Sequence, residues 1–401
     1  MISQPKLWKI INFVPKFTLW GSLVHSKWRY GVLMLCVIGC SRLPDPHGLR
    51  VGLITPGSIA DAAWNSGAYA GLQRIRDSLG MTVSHVEART PAEQEDALRT
   101  YAAQGFDLVF AHGFEFQDAA ERVSADYPKT VFIVTSGARA RGNVAPLIFK
   151  LEEASYLAGM VAGGLTRSNI LGFVGGIELP PIKAAYEGWV NGAKAVNPKV
   201  QSREIYLNSF DDAAAGREAA LALIRIGADM FHHNADAAAL GLFQAVKESH
   251  GVYVFGANAD QSSLAPERVI GSAIIDLPRA FLLVAEQVKA GSFKPQVESF
   301  GLASGVVRYE PNPGLDSLVP AGLKARVKAA GDSIAAGTLL PAGRAVSLAG
   351  PDRRAPGDAS GAALLPAVGD PRTEVLSGVQ GRATGTADPR ALFPSRLPTS
   401  A

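Results

Sequence analysis

The sequence predicts an α/β protein built from two lobes of the same architecture, each around a mostly parallel β-sheet. From residue 50 onward, short apolar segments alternate with segments of helical periodicity, and the alternation restarts near residue 151 with a second series of similar size. Alternating strands and helices are typical of βαβ units and parallel sheets. The chain has 401 residues, 47% hydrophobic and 19% charged, which is enough for two domains with complete cores.

The first series begins with the apolar segment RVGLITPG (50–57). A helix follows in which Trp64, Ala68, Leu72, Ile75 and Leu79 share one face. Further strands are predicted at 83–88, 106–113 and 130–137, with helices around 93–103 and at 117–127.

The second series starts with a helix at 152–166 and ends with a strand at 252–258. Between them we predict strands at 169–176, 202–207 and 228–235, and helices at 182–196, 213–227 and 237–250. A strand at 269–276, a helix at 278–290 and the segment 298–312 are expected to cross back between the lobes. We therefore expect an N-terminal lobe at 48–150 with a return segment at about 278–310, and a C-terminal lobe at 151–277 with about 311–341.

The N-terminal region, residues 1–40, has the pattern of an export signal. Lys27 and Arg29 precede the apolar segment GVLMLCVIGC (31–40), which is about half as long as the ~20 residues that span a bilayer. VIGC resembles a bacterial lipobox, in which Cys40 is lipidated and becomes the mature N-terminus; an unprocessed buried strand is the alternative. We expect a protein that is exported and either anchored to the cell membrane by lipid or periplasmic.

Cysteine usage and the C-terminal composition limit the remaining possibilities. The only two cysteines, Cys36 and Cys40, precede the globular part, which therefore contains no disulfide and no cysteine-based zinc site. Residues 342–401 are of low complexity, rich in Pro, Gly, Ala and Arg without a lasting period, so we expect a disordered tail or a reading-frame artefact.

Several kinds of chemistry find no support in the sequence. The formal net charge of +3 gives no reason to expect nucleic acid as a partner. His232 and His233 are adjacent, so on a strand they face opposite sides and do not share a metal easily. GFVGG (172–176) lacks the spacing of phosphate-binding loops and is interpreted as a tight strand-to-helix turn, and no Gly-x-Ser-x-Gly elbow occurs. We expect no metal, no cofactor and no catalysis, although a hydrolase that uses an Asp stays open.

Aromatic and polar residues recur where the predicted strands end. Because the carboxyl ends of parallel strands meet at one edge, and two lobes place these edges across a cleft, we expect these side chains to form a ligand site. The candidate ligand-binding residues are Trp64, Asn65, Phe114, Phe116, Asp118, Tyr186, Asn234, Asn258, Asp260 and Asp276. Aromatic faces can stack on a planar ring, and acids and amides can pair with N–H and O–H groups. Since no cationic cluster is present to receive a phosphate, a nucleoside or base fits better than a nucleotide.

Four segments resemble the basic membrane protein (BMP) family of substrate-binding lipoproteins, which serve ATP-binding-cassette (ABC) importers. They are DAAWNSGAYAGLQ (61–73), residues 106–134, residues 152–198 with their YLAG helix and Gly-rich strand end, and GVYVFGANADQS (251–262). The resemblance covers about 50–341 and implies a type I periplasmic-binding-protein fold, with two Rossmann-like lobes joined by a hinge that close over a purine. It implies ligand contacts from Trp64, Asn65, Phe114 and Asp118.

The chain departs from the family pattern at two places. Asn258 stands where many members have Asp, and Ile275 followed by Asp276 stands where many have Lys. Losing a donor and gaining an acceptor favours adenine-like over guanine-like rings. The expected function is capture of a purine nucleoside or nucleobase by a monomer that delivers it to the ABC permease subunits. The alternatives are a nucleoside hydrolase with the same cleft and a ligand sensor without transport.

Overall fold

The computed structural model describes residues 48–341. The expected export signal, Cys40 and the segment 342–401 lie outside this range. The chain first forms β1 (Arg50–Thr55), α1 (Trp64–Leu79), β2 (Thr82–Glu87), α2 (Pro91–Ala103), β3 (Leu108–His112), α3 (Gln117–Ser124), β4 (Val131–Thr135) and β5 (Val144–Phe149).

The second series of elements follows directly. It consists of α4 (Leu151–Leu165), β6 (Ile170–Gly175), α5 (Pro180–Val196), β7 (Gln201–Tyr206), α6 (Ala213–Arg225), β8 (Met230–Asn234), α7 (Ala239–Glu248), β9 (Tyr253–Asn258) and β10 (Val269–Ile275). The chain then continues through α8 (Leu277–Lys289), β11 (Glu298–Phe300), β12 (Val307–Pro311) and α9 (Ala321–Ala335).

Two six-stranded sheets form the centres of two lobes. The first has the order β11-β5-β4-β3-β1-β2 and all its pairings are parallel. The second has the order β12-β10-β9-β8-β6-β7 and is parallel except for β12, which runs antiparallel to β10. The predicted fold class, two α/β lobes with mostly parallel sheets, is confirmed.

The structure differs from the sequence-based expectation at β5 and β12. Strand–helix alternation does not predict β5, which carries Pro146 and yet pairs with strands on both sides; proline ordinarily argues against a central strand because it donates no ladder hydrogen bond. The segment 298–312 contains two strands in different sheets, so the return segment in the first sheet ends at β11 rather than near residue 310.

Three neighbouring connections join the lobes, at 150–151, 275–277 and 301–306. Backbone hydrogen bonds tie them together, from Lys150 N to Phe300 O (2.8 Å) and from Asp276 N to Val306 O (2.7 Å). The Glu153 carboxylate also accepts a bond from the Leu302 N–H (2.7 Å). The three segments therefore form a compact hinge on one side of the molecule.

In each lobe, helices pack on both faces of the sheet, so the hydrophobic core lies on both sides of it. In the first lobe α1 packs against α8, which returns after the second crossing. In the second lobe α4 and α5 touch through glycines, since a Cβ at Gly159 would overlap the carbonyl oxygen of Trp189 and one at Gly192 that of Tyr156. Within residues 48–341 no helix combines the length and apolar character needed to cross a membrane.

Candidate functional site

A cavity of about 430 Å³ lies between the lobes, where the carboxyl ends of strands from both sheets meet. Its volume falls in the range of small-molecule sites, which are usually concave, mostly apolar and provided with a few polar groups. The first lobe contributes Pro56, Gly57, Trp64, Asn65, Arg89, Pro91, Gln94, Gly113, Phe114, Glu115, Ser136 and Phe149. The remaining lining residues are Leu151, Ile177, Leu179, Pro181, Ile182, Ser209, Phe210, Asp211, Asn234, Asp236, Asn258 and Ile275.

The first turn of α1 is held in place by Asp61, which is buried. Its carboxylate accepts hydrogen bonds from the N–H groups of Ala63 (3.1 Å), Asn65 (2.6 Å) and Ser66 (3.0 Å). These N–H groups at the start of a helix have no intrahelical partner, and an acid there also interacts favourably with the helix dipole. Asp61 is therefore a cap that orients Trp64 and Asn65 toward the cavity.

Contacts with His112 hold Trp64 in position. The two rings stack with centroids 4.1 Å apart, and Phe149 contacts Trp64 edge-on at 6.2 Å. His112 Nε2 donates to the Trp64 carbonyl oxygen (3.1 Å) and Nδ1 accepts from the Thr135 hydroxyl (3.0 Å). Burial lowers the pKa of His112 to about 3, so this histidine is neutral and acts as a fixed platform.

The second lobe contributes an aromatic group of its own, Phe210. Its ring lies against the end of β6 where Gly176 has no side chain, because a Cβ there would overlap the ring. Gly175 accommodates Tyr206 in the same way. Phe210 lines the same cavity as Trp64 and Phe114 of the first lobe. A planar ring can stack between aromatic groups of both lobes, at about 1–3 kcal/mol per stack.

Three amides provide polar contacts. Asn258 donates through Nδ2 to Asn234 Oδ1 (3.3 Å) and Asp236 Oδ1 (3.4 Å). The side-chain oxygens of Asn65 and Asn258 are buried and have no hydrogen-bond partner among residues 48–341. A buried polar atom without a partner costs about 1–3 kcal/mol, so a ligand that donates to these oxygens gains this free energy on binding.

The charged groups of the cavity are mostly acids. Asp236 is buried, and desolvation together with the neighbouring carboxylates raises its pKa well above the ordinary value. Glu115 lines the cavity and keeps an exposed surface, but desolvation of its carboxyl group by the protein around it raises its pKa. Arg89 is already paired with Glu87 and, across the lobes, with Asp211. A phosphate therefore finds no free cation among the lining residues.

The backbone adopts unusual conformations around the cavity. Ser136, Asp236 and Asn258 line it with φ values of 56°, 46° and 66°, and Ala62, just before α1, has 61°. Such left-handed conformations cost about 1–3 kcal/mol for residues other than glycine, and they cluster at binding and catalytic sites. Their concentration here supports a functional role for the cavity.

Of the ten candidate ligand-binding residues, the structure brings five together. Trp64, Asn65, Phe114, Asn234 and Asn258 line the cavity.

The other five lie elsewhere because local packing or turn geometry uses them. Phe116 is buried in the first lobe's core, and Asp118 forms an exposed ion pair with Arg139. Tyr186 packs on Phe173, Asp260 accepts from Ser262 within its own turn, and Asp276 caps α8 and approaches Arg308 at 3.7 Å. Ile275, next to Asp276, does line the cavity.

Sequence reasoning missed several lining residues. Phe210 and Asp211 follow β7, so the strand-end rule, applied to that strand, would have found them. Glu115 and Asp236 follow β3 and β8 within three residues, so the same rule includes them, although they are not among the ten candidates. Arg89 and Ser136 also follow strands, two residues after β2 and directly after β4, but a cation in a polar loop and a serine after a strand are too common to single out a site.

The adjacent histidines are buried in the second lobe. His232 Nδ1 donates to the Phe255 carbonyl oxygen (3.2 Å) and Nε2 accepts from the Ser155 hydroxyl (3.1 Å). His233 Nε2 donates to Gln261 Oε1 (2.9 Å). Burial lowers their pKa values to about 3 and about 4. In the part of the chain that the structure describes, no group of three or more His, Cys, Asp or Glu side chains is arranged to hold a metal ion.

Known proteins resemble the chain over this same region. Basic membrane protein A of Borreliella afzelii is 29% identical over 271 residues, covering 66% of this chain and 83% of the relative. The transcriptional activator protein Med of Bacillus subtilis (strain 168) is 26% identical over 277 residues, covering 69% of this chain and 86% of the relative. An ABC transporter solute-binding protein from Conexibacter woesei, a solved structure, is 30% identical with a TM-score of 0.60, covering 73% of this chain and 98% of that chain.

A family profile described as "ABC transporter substrate-binding protein PnrA-like" matches residues 49–336. This range includes both sheets and every residue that lines the cavity. The architecture is that of type I periplasmic-binding proteins, as in the solved solute-binding protein. The chain therefore belongs to the BMP (PnrA-like) family of ABC transporter substrate-binding proteins.

Proposed function

We propose that this protein captures a purine nucleoside or nucleobase in the cavity between its lobes and delivers it to an ABC permease. The mature protein is an exported monomer anchored to the membrane through lipid on Cys40. Membership of an ABC substrate-binding family supports the transport role. The nucleoside assignment rests on the chemistry of the cavity.

The composition of that cavity is the observation that carries the proposal. Aromatic residues from both lobes, Trp64 and Phe114 from the first and Phe210 from the second, line the cavity and suit a flat ring. Unpartnered amide oxygens and carboxyl groups suit the N–H and O–H groups of a base and a sugar. Arg89, the one cation among the described lining residues, is already paired, which disfavours a nucleotide phosphate.

A ligand sensor is the second candidate, because one relative is named a transcriptional activator. In that case the same ligand would bind, and the closed form would be recognised by a signalling partner instead of a permease. A nucleoside hydrolase gains no comparable support. Incubation with adenosine followed by chromatography distinguishes hydrolysis from binding, since our proposal requires the nucleoside to be recovered intact.

The test is a thermal-shift screen followed by titration calorimetry. Adenosine, guanosine, inosine and adenine are compared with AMP and with ribose. A ligand at about 100 times its Kd stabilises the folded state by about 2.7 kcal/mol, which a melting curve resolves. We expect nucleosides or bases to raise Tm and AMP to have little effect. A shift with ribose but with none of the purines would refute the proposal. A preference for adenosine over guanosine would support the adenine-like assignment.

A further inference from the structure

Asp236 is a buried carboxyl group that no cation in the described part of the chain neutralises. It follows β8 in a left-handed conformation and opens a short 3₁₀ helix, Asp236–Ala238. Its side chain lines the cavity, and the amide of Asn258 donates to Oδ1 at 3.4 Å. Among residues 48–341, no Lys, Arg or His forms an ion pair with it. An ionised carboxylate in such surroundings would carry the full cost of desolvation.

The charged groups that face Asp236 make ionisation still less favourable. They are the carboxyls of Asp61, Glu115 and Asp211, in the connections that follow β1, β3 and β7. Arg89, on the opposite lobe, is engaged with Asp211 (2.8 Å) and Glu87.

The two helices packed against this turn, α6 and α7, supply no neutralising cation either. Arg217 on α6 pairs with Glu248 (2.7 Å) and approaches Glu218, and neither Arg225 on α6 nor Lys247 on α7 pairs with Asp236. Among residues 48–341, each of these charged groups is thus an acid, a cation paired with another acid, or a cation that does not pair with Asp236.

We propose that Asp236 meets the ligand as a neutral carboxylic acid and donates a hydrogen bond to an acceptor atom of the ligand. Asn65 Oδ1 and Asn258 Oδ1, which lack partners, accept bonds from the ligand at the same time. The site then selects molecules that combine one acceptor with several N–H or O–H donors. This inference deepens the proposed function and rests on it for the choice of nucleoside as probe.

Two consequences follow from the raised pKa of Asp236. Ligand affinity is constant below that pKa and falls above it, because the donor proton is lost. The free energy of unfolding also depends on pH. A carboxyl whose pKa is higher in the folded than in the unfolded chain destabilises the fold as pH rises from the unfolded toward the folded pKa.

The experiment compares the full-length protein with Asp236→Asn, which keeps a neutral donor. Asp260→Asn, at an exposed strand end in the same lobe, is the matched control. Affinity for adenosine is measured by calorimetry between about pH 5 and pH 9, a range that includes the pKa values of buried carboxyls. Melting temperatures without ligand are measured over the same range.

For the wild type and the control variant, we expect Kd to increase by up to about tenfold per pH unit above the Asp236 pKa. Asp236→Asn should bind adenosine with little pH dependence. Without ligand, its Tm should exceed that of the wild type by an amount that grows with pH.

Two results would overturn the inference: affinity that improves with pH in the wild type and is lost in Asp236→Asn, or a Tm difference that does not grow with pH. If the wild type binds no purine at any pH, the proposed function fails, and the Tm comparison still decides whether Asp236 is neutral.

Discussion

The ion pair between Arg89 and Asp211 connects the two lobes at the edge of the cavity. Arg89 follows β2 of the first lobe and Asp211 precedes α6 of the second, and Nη1 lies 2.8 Å from Oδ2. Away from the hinge, it is the one ion pair between the lobes in the part of the chain that the structure describes. Breaking it should destabilise the closed arrangement relative to an open one.

The size of the effect follows from exposure. The two side chains are 51% and 50% exposed, so solvent screens their attraction. Pairs of this kind contribute about 0.2–1 kcal/mol. If the ligand binds the closed arrangement and the open one predominates without it, the apparent Kd rises by the factor by which closure weakens. The expected coupling is therefore about 1.4- to 5-fold in Kd.

A double-mutant cycle measures this coupling separately from the other contacts of Arg89. Adenosine affinity is determined for Arg89→Gln, Asp211→Asn and the double variant, at low and at high salt. The matched control is Arg99–Asp126, an exposed pair (2.9 Å) within the first lobe.

We expect the coupling free energy between Arg89 and Asp211 to favour binding and to decrease at high salt. We expect no coupling in the control cycle. Zero coupling between Arg89 and Asp211, or equal coupling in the control, would refute the reasoning.

Two further variants test the stacking surface and the helix contact. Trp64→Ala should weaken adenosine binding by about 5- to 150-fold in calorimetry, because one aromatic stack of about 1–3 kcal/mol is lost; an unchanged Kd would show that Trp64 does not contact the ring. Gly159→Ala should lower the free energy of unfolding in urea by about 1–3 kcal/mol, since the new methyl group overlaps the Trp189 carbonyl oxygen. Gly322→Ala, where a Cβ meets open space, should instead be neutral or stabilise by up to about 1 kcal/mol, and equal losses for both variants would contradict the packing argument.

The pattern of apolar segments is sufficient to predict the two lobes. Strand and helix periods are local properties, and βαβ connections leave few topologies open. Pairing across a long stretch of chain is different. β12 pairs with β10 in antiparallel orientation, and β5 has a neighbouring strand on each side despite Pro146. Tertiary contacts decide which strands become neighbours in these cases.

The same distinction applies to glycines. GFVGG reads as a turn in the sequence, but Gly175 and Gly176 have no positive φ and serve instead to admit the rings of Tyr206 and Phe210. The residues next to a glycine in the sequence do not reveal that the glycine makes room for the side chain of a distant residue.

The sequence by itself determined that aromatic and amide side chains would gather where strands end, since parallel strands direct their carboxyl ends to one edge. It could not determine which of them face the cavity. Phe116 and Asp118 adjoin Phe114, yet one turn of 3₁₀ helix sends Phe116 into the core and leaves Asp118 in solvent. Only the tertiary structure brought acids from three other strand–helix connections close to Asp236, because the charge environment of a buried group depends on residues far away in the chain.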